Sequence, residues 1–411
     1  MGKIITSFLI CFLLFTSASA QVKTGIEVLR DSNFEILKGK RIGLITNATG
    51  VDKQLKSTID ILHESAEVNL VALYGPEHGV RGNIEAGDKV GFYTDKKTNL
   101  PVYSLYGRTR KPSSEMLENI DVLIYDIQDI GCRSYTFIST MGLAMEAAAE
   151  NNIEFVVLDR PNPLGGNRIE GNITEDDYIS FISQFKIPYV YGLTCGELAK
   201  MLNNEKMLKE EAECKLTVVE MSGWKRDMTF EETNLPWVMT SPHIPHKDSP
   251  YYYVATGVAG ELRNVYSIGV GYTIPFQTFA AEWINGDDLT DKLNSYNLAG
   301  IIFRPIYYKP FYAFGESENL HGVQLHIIDF AKVNLLETQY YIMQALNELY
   351  PDKNPFEMDD KRLSMFDKAN GTDKVRKLFE KNFKVADIEE YFKKDVEIFR
   401  KQSEKYYLYK W

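Results

Sequence analysis

The chain of 411 residues carries 46 Lys and Arg against 57 Asp and Glu, with 44% hydrophobic and 25% charged residues, a formal net charge of −11. That balance excludes a disordered or fibrous chain. The negative excess argues against nucleic acid or an anionic membrane surface as a general partner, so an anionic ligand would need a local basic pocket.

In chain order, Lys3 precedes the apolar run IITSFLICFLLFT and the small-residue site Ala18-Ser19-Ala20, the pattern of a secretory signal peptide over residues 1–20. The mature chain is expected to begin near Gln21 and to be exported, periplasmic or secreted. No later stretch approaches the roughly 18–20 apolar residues of a membrane span, so no stable membrane insertion is expected. Three cysteines remain, Cys132, Cys195 and Cys214, too few and too odd in number for a disulfide framework.

From Gly39 to about Trp224, short apolar runs alternate with amphipathic stretches, the signature of an α/β domain with a largely parallel sheet. The strand candidates are RIGLIT (41–46), NLVALY (69–74), VYSLY (102–106), DVLIYD (121–126), EFVVLD (154–159) and KLTVVE (215–220). Helices are expected over 56–65, 113–119, 136–152 and 195–205. Four prolines between 234 and 250 mark a linker or lid. The expected organisation is therefore a Rossmann-like domain over 21–245 and a smaller α+β domain over 246–411, the latter containing the Tyr- and Phe-rich IIFRPIYYKPFYAF (301–314) and the strand-like VQLHIID (323–329).

Four polar segments directly follow those strands: TNATG (46–50), GPEHGVRG (75–82), DIQDIGCRSYT (126–136) and DRPNPLGG (159–166). Ligands of open parallel sheets sit beyond the carboxyl ends of the strands, so these loops are expected to converge on one site. Glu77, between glycines after a strand, is placed where a half-buried carboxyl can act as general acid, with His78 beside it. A general acid commonly works with a second carboxyl group as base or nucleophile, for which Asp126 is the first candidate and Glu170 the second. Asn47, Gln128, Tyr135, Asp159 and Asn162 are candidate substrate contacts. Arg81, Arg133 and Arg160 are candidates for charge-assisted contacts to an anionic ligand. His243 and His246 share HxxH spacing but lie among prolines; no zinc-ligand set, P-loop or strand-linked GxGxxG is present, so neither a metal nor a nucleotide cofactor is expected.

As an ordered set, GKRIGLITNATGVD, LYGPEHGVRG, LPVYSLYGRTRKPS, DIQDIGCRSYTFISTM, VLDRPNPLGG, YGLTCGELA and LPWV resemble the exo-β-N-acetylmuramidase (NamZ) family over most of the mature chain. The resemblance implies a Rossmann-like domain and a smaller C-terminal one with the site in the cleft between them. It also implies release of N-acetylmuramic acid from the non-reducing end of peptidoglycan fragments, with Glu77 as the leading catalytic candidate. One segment departs: many members carry FEGTNLSEGRGTTRPF where this chain reads VAGELRNVYSIGVGYTIPF (258–276), and the family's SPN-type turn reads SPHIP here. Both departures are expected on the linker and second-domain side, so that they leave the fold and Glu77 little affected and bear on which sugar or peptide substitution is accepted. The competing reading is a non-catalytic cell-wall sugar-binding protein, which would bind muramic-acid sugars without releasing product.

Overall fold

The computed structural model describes residues 21–77, 79–82 and 91–411; the signal-peptide segment 1–20 and His78 lie outside the described residues. The β-branched runs form strands where side-chain alternation divides apolar residues between two sheet faces. In β1 (Arg41–Thr46), β5 (Val122–Asp126) and β6 (Glu154–Leu158), Ile42, Leu44, Val122, Ile124, Val156 and Leu158 pack in one buried cluster. Their neighbours Ile45, Leu123, Tyr125, Phe155 and Val157 pack in another. Both faces are covered, as a parallel sheet requires.

The sheet adds β2 (Asn69–Gly75), β3 (Tyr93–Thr94), β4 (Pro101–Ser104) and β7 (Lys215–Val219), in the order β3-β4-β2-β1-β5-β6-β7. Every pairing is parallel except β3 with β4. The strand order reverses direction between β1 and β5. Helices α1 (Gly25–Asp31), α2 (Thr58–His63), α3 (Ser114–Leu117), α4 (Phe137–Glu150) and α5 (Cys195–Asn204) cover it. The start of α5 is set by a capping box in which Thr194 and Glu197 satisfy each other's backbone amides.

The C-terminal part builds a three-stranded antiparallel sheet from β8 (Thr278–Ala281), β9 (Ile301–Tyr308) and β10 (Leu320–Ile327), in the order β8-β10-β9. Helices α6 (Ser249–Thr256), α7 (Gly286–Ser295) and α8 (Leu335–Leu349) pack with it, followed by short helices to Ser403. The Tyr- and Phe-rich segment is thus a strand over its first eight residues. One continuous buried cluster runs from Ile45 through Val323 to Tyr406, joining the two sheets. Cys132, Cys195 and Cys214 are buried free thiols. Among the described residues no helix is long and apolar enough to cross a membrane.

Candidate active site

The four loops separate into two groups. Those after β1 and β6 meet at the β1/β5 switch point, where Asp126 is fully buried in an ion pair with Arg160, at 2.6 Å from Nε and 3.0 Å from Nη2. The Thr58 hydroxyl donates a further 2.5 Å bond to the same carboxylate. The crevice expected there is nearly filled: a space of about 20 Å³ remains, lined by Gln128 and Arg160 and closed by Leu235, Pro236 and Trp237 of the proline-rich segment.

The large cleft lies to one side, beyond the ends of β2, β4 and β5, with a volume of about 580 Å³. Glu77 lines it from the loop after β2, Tyr106 and Arg110 from the loop after β4, and Tyr135 from the loop after β5. Ser241 and His243 of the SPHIP turn and Glu261, Arg263 and Phe276 of the C-terminal part complete that wall. The half-buried Tyr106 hydroxyl donates to the Glu77 carboxylate, and burial together with that carboxylate pushes its pKa up to about 12. Tyr135 is hydrogen-bonded to Thr240 at 2.7 Å and lies within electrostatic reach of Glu77. A second chamber of about 620 Å³ shares His243, Tyr253, Glu261, Arg263 and Phe276 with the first.

Of the expected site residues, Glu77 and Tyr135 share this cleft, whereas most of the others brace the fold. Asp126 does not line it, and its Arg160 and Thr58 partners occupy its oxygens, so the expected pairing with Glu77 meets a sealed ion pair instead. Arg133, 1% exposed, donates to the carbonyls of Asn172, Ile187 and Ala369 and cannot present its guanidinium to a sugar. Arg81 is held on Asp95 at 2.7 and 2.9 Å. Asp159 is fully buried and accepts from Thr194, Gly196 and Tyr409, while burial raises its pKa to about 6. Asn47 caps Thr49, Gln128 donates to the Pro161 carbonyl, and Asn162 bridges Leu193 and Leu164. Asn162 also lies against Gly131, whose φ of +79° and lack of a Cβ are what that contact allows. Glu170 lines a separate pocket and is engaged by Arg168 and the Leu336 amide. Among the described residues no group of His, Cys, Asp or Glu could hold a metal ion.

Two family models cover the chain, the N-terminal domain of exo-β-N-acetylmuramidase NamZ over residues 42–248 and its C-terminal domain over 251–409. The chain belongs to the NamZ family. It is 44% identical to the peptidoglycan β-N-acetylmuramidase NamZ of Bacillus subtilis, with all of both chains covered. Among solved structures, a DUF1343 family protein of Bacteroides fragilis superposes with a TM-score of 0.91 at 60% identity, covering 95% of this chain and 99% of that one. A second from the same organism superposes at 0.76 with 31% identity and the same coverage.

Within the NamZ family this chain's departures sit in the cleft itself. The 258–276 segment supplies Glu261, Arg263 and Phe276, and the SPHIP turn supplies Ser241, His243 and Ile244. They reach the cleft of Glu77 because the C-terminal part folds over the ends of β2 and β4.

Proposed function

We propose that the protein is an exo-acting β-N-acetylmuramidase, exported through its first twenty residues, that removes terminal N-acetylmuramic acid from peptidoglycan fragments. The observation that carries this reading is the placement of Glu77, with its Tyr106 partner, in a cleft that both parts of a NamZ-family chain line. Glu77 protonates the glycosidic oxygen as the bond to the anomeric carbon breaks, and Tyr106 fixes the direction of its carboxyl group. Among the described residues Glu261 is the other carboxylate lining this cleft, so it takes the second role, acting on the water or on the sugar. Its partner Arg362, which also donates to the Glu261 carbonyl at 3.0 Å, keeps the side chain in place.

The test is release of free N-acetylmuramic acid from a disaccharide bearing it at the non-reducing end. The full chain should turn it over, and Glu77→Gln should lower kcat roughly 10²–10⁴-fold while sugar binding persists. Full activity in that variant would remove Glu77 from the mechanism, and saturable binding without product by the unsubstituted protein would favour a sugar-binding protein.

A further inference from the structure

The charge lining the cleft is opposite to the charge of the protein. Its described carboxylates are Glu77 and Glu261, and Glu261 is already paired with Arg362. Facing them are Arg110, Arg263 and Lys368, none of which forms an ion pair with a described residue. A chain of formal charge −11 thus gathers a local excess of cations around one glutamate. A general acid gains nothing from a neighbouring guanidinium, which favours the unprotonated carboxyl, so the cations need another purpose.

The two arginines are placed to act together. Both line the cleft and bear electrostatically on the Tyr106 hydroxyl that bonds Glu77, one from the loop after β4 and one from the C-terminal part. The Arg110 guanidinium stacks on Phe181, 4.2 Å from the ring centroid, an arrangement that fixes its plane and leaves its N–H edge for a ligand. Arg263 lines both chambers and stands at their junction. The other arginines considered for anion binding, Arg81, Arg133 and Arg160, are spent on Asp95, on backbone carbonyls and on Asp126.

We propose that Arg110 and Arg263 bind the lactyl carboxylate that distinguishes muramic acid from glucosamine, and so select acidic sugars. The inference rests on the muramidase reading above. A planar guanidinium meets a carboxylate through two parallel charge-assisted hydrogen bonds, and two arginines lining one cleft can bracket it. Arg263 lies in the 258–276 segment, so this half of the recognition belongs to the part of the chain that departs from the family's pattern.

The experiment compares 4-nitrophenyl β-N-acetylmuramide with its lactyl methyl ester, using the full chain and the Arg110→Gln, Arg263→Gln and double variants. Both side chains are exposed, and matching thermal midpoints establish that the variants are folded. The unsubstituted protein should prefer the acid. Each single change should lower kcat/KM for the acid roughly 10- to 100-fold, mainly through KM. The double variant should bring the acid-to-ester ratio close to unity, and Arg263→Lys should recover part of the preference. Turnover without preference for the acid, or a ratio unmoved in the folded double variant, would overturn the inference and leave the muramidase reading standing. Absence of turnover on either compound by the unsubstituted protein would overturn both.

Discussion

Asp129 shows how far a side chain's surroundings can differ from its sequence context. It lies in a polar loop segment after a strand, yet it is buried, and burial raises its carboxyl pKa to about 7 against donation from Tyr191 and the Gly131 amide. Its Oδ1 has no hydrogen-bond partner. A carboxyl whose folded pKa lies above its unfolded value binds a proton on folding. Its contribution to stability is therefore complete below about pH 4 and is lost as pH rises through about 7. Thermal unfolding of Asp129→Asn should show a shallower decline from pH 4 to 7 than the unsubstituted protein, with a difference on the order of a few kcal/mol between the two ends. Identical slopes would show that Asp129 is ionised in the folded state. Asp159, raised to about 6, leaves a residual slope in both proteins.

At the scale of elements, α5 is held by segments that reach it from far away. Glu197 of its first turn pairs with Arg226 in a fully buried ion pair of 2.5 Å and accepts the Leu408 amide at 2.9 Å. Arg226 in turn stacks under Tyr407, 3.4 Å from the ring centroid. Tyr409 donates to Asp159 at 2.6 Å and accepts from the Met221 amide at 3.0 Å. Tyr409→Phe leaves both groups short of a partner and should cost about 1–3 kcal/mol, read as a lowered denaturation midpoint; no change would mean that water replaces the hydroxyl. The six strands of the parallel sheet were legible in sequence because each is a short apolar run bounded by polar turns; RIGLIT is β1 residue for residue. The sheet of β8, β9 and β10 was only partly legible. Ile301–Tyr308 alternates buried and exposed residues but contains Pro305 and four aromatic or charged positions that mask the period. Glu77 could be placed by its strand-end loop. Arg110, Glu261 and Arg263 could not, because a wall made by folding one part of the chain over another leaves no local pattern.

For the whole molecule, the continuous apolar cluster decides how the two sheets behave. Residues of β5, α4, α6, β10 and α8 belong to one buried network, so neither half can lose its packing without exposing part of the other. Arg133 adds a polar tie across the same boundary through the Ala369 carbonyl at 3.1 Å. Calorimetry should therefore record a single cooperative transition whose van't Hoff and calorimetric enthalpies agree; two resolved transitions would show that the halves unfold independently. The cleft inherits this rigidity, since its two walls come from both sides of the shared core.

Asp159 carries a consequence for the order in which the molecule assembles. Its two hydroxyl donors come from 35 and 250 residues further along the chain. Closing a loop of the second kind is slow, and until it closes the carboxyl remains hydrated and charged. Below about pH 6 the docking of that distant segment therefore coincides with capture of a proton from solvent, whereas at neutral pH the carboxyl is buried still largely charged, with the two hydroxyls standing in for the water it loses.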